Sequence, residues 1–279
     1  MCPVCTAVLR RQESFRTRPA KTVAILADPV FTKDDPRVRS KAASPEPASQ
    51  KTSMSATLSS SEKDSFSSDL LTRSASELGL TRGGTTHFSR LLHTRQEAEG
   101  IRAAFPASAS MAALDFNANR STAVSPDLAQ YRIVHFATHG LINSEHPELS
   151  GLVFSLVDQN GKQQDGFLQL KDIYNLNLPA DLVVLSACES GLGKEINGEG
   201  LIGLTRGFMY AGSTRVVASL WNVSDVATAQ LMTNFYAAME KEKLPPAAAL
   251  RSAQVAMWKQ KRWSSPYFWA AFQIQGDWK

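Results

Sequence analysis

Three uninterrupted apolar runs of strand length lie in the second half of the chain: Tyr131–Ala137, Asp181–Ala187 and Thr214–Leu220. A fourth, Thr22–Ala27, stands near the start and is closed by Asp28-Pro29. None shows a clean apolar/polar alternation, so each reads as a strand buried on both faces. Between and after the later runs, apolar positions recur at helical spacing over Leu201–Ala211, Asp225–Met239 and Pro246–Trp258. Gly212 stands where a helix C-terminal cap is wanted. Thr94 and Glu97 have the spacing of a capping box, opening a helix through Ala98, Ile101 and Ala104 that stops at Pro106. A shorter helix is expected over Ser125–Gln130, with Pro126 in its first turn. Gly151–Leu156 and Phe167–Leu170 flank the turn-like Asp158-Gln159-Asn160-Gly161 and predict a local antiparallel pair. Tyr267–Ile274 is placed as an edge strand. Continuous apolar strands alternating with amphipathic helices predict an α/β fold, with a mainly parallel central sheet covered on both faces. No repeat of helical-pair length occurs, which excludes a solenoid.

Composition changes this picture in one place. From Ser40 to Ser76 about a third of the residues are serine, Pro45 and Pro47 intervene, and large apolar residues are few. Such a stretch buries too little surface to offset its ordering entropy, so a flexible insertion is expected over about 40–76. Residues 1–20 are then an N-terminal extension, and 21–279 one domain carrying that insertion. The 279 residues are 43% apolar and 20% charged, with a net charge of +4; these are values of an ordinary globular chain. The basic residues form only small clusters, at Arg10, Arg11, Arg16 and Arg18 and at Lys259, Lys261 and Arg262, so nucleic-acid binding is not expected. No apolar run reaches the roughly 18 residues of a membrane span. Arg10 and Arg11 break any signal-like stretch. Three cysteines, an odd number, argue against a disulfide framework and for a reducing, cytoplasmic setting.

Candidate chemistry sits at the ends of two of the strong strands. Tyr131–Ala137 runs into Thr138-His139-Gly140, and Asp181–Ala187 runs into Cys188-Glu189-Ser190-Gly191. Ligands of open parallel sheets bind outside the carboxyl ends of the strands. If the two strands are neighbours, an imidazole and a thiol therefore meet at one rim. A free thiol, with a pKa of about 8.5, is only a few per cent thiolate at neutral pH. A nearby imidazole stabilises the thiolate or takes its proton, then protonates a leaving amine. Gly140 permits close backbone approach, so its N–H, with that of Cys188, suits a developing oxyanion. His139 and Cys188 stand about 50 residues apart, the separation of caspase-type His and Cys.

These elements resemble the His-Gly and Cys-x-x-Gly signatures shared by caspases, metacaspases and separases. The wider context is similar to the bacterial CHAT domain, a caspase-like module often found with tetratricopeptide repeats. The matching stretches begin at Tyr131, Leu182, Gly198 (Gly-Glu-Gly-Leu-Ile-Gly-Leu-Thr-Arg-Gly) and Val217 (Val-Ala-Ser-Leu-Trp), and end with Pro266 to Trp278. The resemblance runs from about Lys21 to the C-terminus, apart from the serine-rich insertion. It implies a caspase-like three-layer α/β/α sandwich and a cysteine endopeptidase acting on protein or peptide substrates. His139 is then general base or ion-pair partner, Cys188 the nucleophile, and Gly140 and Cys188 the oxyanion donors. Ser219, Trp221 and Asp225 fall where such folds bind substrate, although Asp225 equally suits a helix cap. No cofactor or metal is implied. An activating or repeat-containing partner protein is, because this chain carries no repeats of its own.

Other readings of the same residues are weaker. His135 and His139 have the spacing of two zinc ligands on a helix, but they lie on a strand and lack the intervening glutamate. Gly191, Gly193, Gly198 and Gly200 follow a strand, yet match neither dinucleotide nor Walker spacing, and Lys194 is not followed by Ser or Thr. Cys2 and Cys5 form a single Cys-x-x-Cys without a second pair. The reading from another class is a catalytically silent protein-interaction module that holds a peptide in the same cleft.

Overall fold

The computed structural model describes residues 19–39, 61–78, 80–82, 85–86, 88–143, 146–186, 188–189 and 199–277. Cys2, Cys5, residues 40–60 of the serine-rich segment, and the segment with Gly191, Gly193, Lys194 and Gly198 lie outside them. A six-stranded sheet forms the centre. Its members are β1 (Lys21–Ala27), β4 (Ser110–Leu114), β5 (Tyr131–Ala137), β9 (Leu182–Leu185), β11 (Arg215–Ser219) and β12 (Phe272–Gly276), in the order β12-β11-β9-β5-β1-β4. All neighbours run parallel except β12, which closes one edge antiparallel to β11. The apolar runs form these strands because alternate residues go to opposite faces and both faces are covered. Val23, Ile25, Ile133, Val184 and Val217 face one side, where they pack against helices α2 (Thr94–Ala103), α6 (Asp225–Lys241) and α7 (Pro246–Trp258). Ala24, Leu26, Val134, Phe136, Val183 and Val216 face the other, against α3 (Arg120–Ala123), α4 (Leu170–Tyr174) and α5 (Glu199–Tyr210). The result is the expected α/β/α sandwich with a mainly parallel sheet.

The C-terminal elements follow the sequence pattern closely. Helix α5 stops before Gly212, whose φ of +120° is one that glycine adopts without strain. Helix α2 is different. Its N-cap is His93, and the Thr94 hydroxyl bonds the Leu91 carbonyl, so no capping box forms. Glu97 instead turns inward, fully buried, to lie 3.0 Å from His135 Nε2 without the alignment of a hydrogen bond. His135 Nδ1 and the Tyr236 hydroxyl share a hydrogen bond of 3.0 Å. Burial, with the nearby Glu97, pushes the Tyr236 phenol well above its ordinary range. A tertiary contact has thus taken the carboxylate that local spacing assigned to the helix end.

A second difference concerns the serine-rich segment. Helix α1 (Ser61–Glu77) occupies the latter half of the region whose composition predicted a flexible insertion. Leu71 and Ala75 pack against Phe31, Phe88, Leu141, Val153 and Phe167. Ser74 donates to the Leu149 carbonyl, and Asn143 Nδ2 donates to Glu77. The helix exists because a few apolar residues meet a ready-made apolar surface, which composition averages over. A two-stranded hairpin, β2 (Thr81–Arg82) with β3 (Thr85–Thr86), follows it. Among the described residues no helix is long and apolar enough to cross a membrane.

Helix α1 covers a smaller sheet in the order β10-β6-β7-β8, made of β6 (His139–Leu141), β7 (Gly151–Val153), β8 (Phe167–Gln169) and β10 (Cys188–Glu189). The expected antiparallel pair is its β7–β8 half. Gly151 lies where a Cβ would stand 2.3 Å from the Leu168 carbonyl oxygen and 2.7 Å from the Phe167 ring. Gly151→Ala should therefore lower stability by about 1–3 kcal/mol, the usual cost of overpacking, as a reduced midpoint of urea unfolding. An unchanged midpoint would mean that β7 and β8 are not so closely apposed.

Candidate functional site

Strand β5 does not end cleanly; it hands the chain to the smaller sheet. Thr138, fully buried, interrupts the ladder and donates its hydroxyl to the Val153 carbonyl. The backbone then resumes as β6, paired antiparallel to β7, with His139 opposite Val153 and Gly140 opposite Leu152. Strand β9 makes the same transition: Ser186 N–H still bonds the Phe136 carbonyl, and the chain re-enters pairing as β10. The two continuations lie side by side and parallel, with Cys188 opposite His139 and Glu189 opposite Gly140. Neighbouring strands are about 4.7–4.9 Å apart, so the backbones that carry the imidazole and the thiol are adjacent at one rim.

The imidazole of His139 is enclosed. Phe31 lies 5.1 Å and Phe88 5.5 Å from it between ring centroids, both tilted, and only 8% of the residue is exposed. Its Nε2 is 2.6 Å from the Ser89 carbonyl oxygen. A carbonyl can only accept, so Nε2 carries the proton, and in the neutral ring Nδ1 is the basic nitrogen. Burial pushes the His139 pKa below its ordinary value, with the Ser89 hydrogen bond acting in the opposite sense. The site thus holds a neutral imidazole of defined tautomer against the backbone of a cysteine.

Ser219, Trp221 and Asp225 occupy the next strand end and the loop beyond it. Ser219 donates its hydroxyl to the Trp221 carbonyl at 2.7 Å, which fixes the bend after β11. Trp221 Nε1 donates to the Tyr267 carbonyl at 3.1 Å, and the Tyr267 hydroxyl donates to the Asn222 carbonyl at 2.7 Å. These two residues therefore shape and clip the loop with their polar atoms. Asp225 opens α6, yet its Oδ2 accepts the backbone N–H of His93 at 2.8 Å and so ties α6 to the start of α2. Burial raises the Asp225 pKa, Glu97 and Asp28 add to the rise, and the His93 N–H opposes it.

Sequence reasoning missed two contributors. Ser89 acts through its carbonyl, which every residue has, so no residue type marks it. In the sequence Asp28 marks only a strand end. Its backbone is left-handed, φ +50°, a conformation that Asp tolerates better than most. Its carboxylate, fully buried, meets Arg90 through two hydrogen bonds of 2.8 and 2.7 Å, Arg95 at 2.9 Å and Arg37 at 3.0 Å. Asp35 and Asp115 take further bonds from Arg37, and Asp115 from Arg95. Three carboxylates thus balance three guanidinium groups beside the rim. Among the described residues no group of three or more His, Cys, Asp and Glu is arranged for a metal ion.

The chain is similar to known proteins over part or nearly all of its length. The chain is 34% identical over 114 residues to tetratricopeptide repeat protein 28 of Homo sapiens, and 33% identical over 110 residues to its Mus musculus counterpart. The matches take in 41% and 39% of this chain but only 4% of either relative's length. The CHAT domain model matches residues 5–277, nearly the whole chain. The protein belongs to the caspase-like CHAT domain family.

Proposed function

We propose that the chain is a cysteine endopeptidase, with Cys188 as nucleophile and His139 as its base. The observation that carries this reading is the parallel register of β6 and β10, with His139 opposite Cys188. The hydrogen bond from Nε2 to Ser89 supports it, because it leaves Nδ1 as the nitrogen that exchanges a proton with the thiol. In the first step the Cys188 sulfur attacks the carbonyl carbon of the scissile peptide. The oxyanion that forms accepts the N–H groups of Gly140 and Cys188. As the C–N bond breaks, the His139 imidazolium gives its proton to the departing amine and a thioester remains. Water, deprotonated by the neutral imidazole, attacks the thioester, releases the acid and restores the thiol.

Trp221, on the clipped loop beyond β11, and Asp225, at the start of α6, are placed in this scheme as walls of the substrate cleft. Ser219 shapes the bend that leads from β11 to Trp221. A reducing, cytoplasmic compartment suits a free nucleophilic thiol. Similarity to segments of tetratricopeptide repeat proteins supports a repeat-containing partner that presents the substrate or activates the enzyme.

Digestion of a diverse peptide library by the wild type and by Cys188→Ala, read by mass spectrometry, tests the assignment. Cleavage is expected from the wild type alone, with a loss in the variant of at least about 10³-fold, as for other nucleophile deletions. Cleavage retained by Cys188→Ala contradicts the assignment. Peptides bound but left intact by the wild type favour the silent interaction module.

The pH dependence has a defined sign. The imidazole is the base, and burial holds its pKa below the ordinary value of about 6.5. Neutral His139 therefore persists as pH falls past 6.5, and the acid limb of kcat/KM should have its midpoint below that value. A midpoint at or above 6.5 would mean that the imidazole is more solvated than the structure has it.

A further inference from the structure

The segment Phe88–Leu91 joins the β2–β3 hairpin to α2 outside any helix or sheet ladder, yet Phe88 and Ser89 both meet one imidazole and the next residue, Arg90, meets Asp28. The Phe88 ring packs on the His139 ring and on Phe31, at 5.5 and 5.8 Å. The Ser89 carbonyl accepts the Nε2–H. Arg90 grips Asp28 through Nε to Oδ1 and Nη2 to Oδ2, a planar two-point contact.

The carbonyl of Ser89 and the N–H of Arg90 belong to one rigid peptide plane. Anchoring Arg90 therefore restricts where the Ser89 oxygen lies. Asp28 is an apt anchor, because it directly follows β1, whose last residue, Ala27, is paired with Ala137 of β5. His139 stands two residues beyond Ala137. Imidazole and carbonyl are thus referred to the same pair of sheet strands, one through the chain and the other through the Arg90–Asp28 contact.

We propose that Arg90, held by Asp28, is a positioning residue that keeps the Ser89 carbonyl on His139 Nε2 and so fixes which imidazole nitrogen is basic. The proposal rests on His139 being the base of the protease reading, but the hydrogen bond it concerns is observable without activity. Arg37 supplies an internal contrast. It bonds the same carboxylate, and also the carbonyls of Asp28 and Pro29, but it lies far in sequence from the Ser89–Arg90 peptide. Its loss should weaken the charge cluster without releasing the carbonyl. Lysine at position 90 retains the charge but not the two-point geometry.

The test uses the full chain labelled with 15N-histidine. The chain has five histidines, and the His139 ring resonances are assigned with His139→Gln. A protected Nε2–H signal is expected for the wild type and for Arg37→Gln, even where Arg37→Gln unfolds at lower denaturant. Arg90→Gln should lose the signal to solvent exchange, and Arg90→Lys should retain it in part. In parallel, Cys188 alkylation by iodoacetamide should slow on the order of 10-fold to 100-fold in Arg90→Gln, as expected for a displaced catalytic partner, and less in Arg90→Lys. An Nε2–H as protected in Arg90→Gln as in the wild type overturns the proposal. So does loss of the signal in Arg37→Gln to the same degree, which would make the cluster merely structural. If Arg90→Gln does not fold, an intact signal and an unchanged alkylation rate in Arg90→Lys overturn it instead. Wild-type Cys188 that alkylates no faster than glutathione, with the signal still dependent on Arg90, would sink the protease reading and leave the positioning role standing.

Discussion

Backbone pairing between β5 and β9 continues past the carboxyl ends of both strands, where β6 and β10 pair His139 with Cys188. The other features of the rim depend on that continuation. Thr138 makes the turn between sheets with its hydroxyl bonded to the Val153 carbonyl, so that buried group is satisfied where the ladder breaks. The smaller sheet then needs its own apolar cover, and helix α1 supplies it through Leu71 and Ala75 over Leu141, Val153 and Phe167. A parallel sheet buried on both faces thus ends in a wing whose edge carries His139 and Cys188.

Two opposite environments meet around the imidazole. On one side are the rings of Phe31 and Phe88, which remove water and favour the neutral form. Farther along the β1 end is the cluster of Asp28, Asp35 and Asp115 with Arg37, Arg90 and Arg95. A fully buried Asp28 is tolerable only because three guanidinium groups meet it. The cluster is balanced in sign, and its arginines are committed to carboxylates. It therefore reads as an anchor for Arg90 and the Ser89 carbonyl beside it, not as an anion site.

Much of the fold was legible because the strands are continuous apolar runs and the last helices carry clear amphipathic patterns. Tyr131–Ala137 and Pro246–Trp258 agree with the sequence reading in both bounds. The reading failed where tertiary contacts override local signals. Glu97 has capping-box spacing but is drawn into the core beside His135. Ser61–Glu77 has a disordered composition, but its few apolar residues find a complementary surface. Strand β4 (Ser-Met-Ala-Ala-Leu) was missed because small residues give little strand signal. At the site, His139 and Cys188 stand in the sequence at the ends of strong strands, and the structure pairs the backbones of those two positions. The Ser89 carbonyl was not legible, since backbone chemistry leaves no trace in residue type, and the Asp28–Arg90 contact spans 62 residues.

The central claim is that His139 and Cys188 form one reactive unit. The most direct measurement is the pH dependence of Cys188 alkylation in the wild type and in His139→Ala, with modification localised by peptide mass. The account predicts rapid alkylation of wild-type Cys188 well below the ordinary thiol pKa of about 8.5, and a return of the variant's profile toward that value. Superimposable profiles for the two proteins would contradict it, because the imidazole would then have no influence on the thiol.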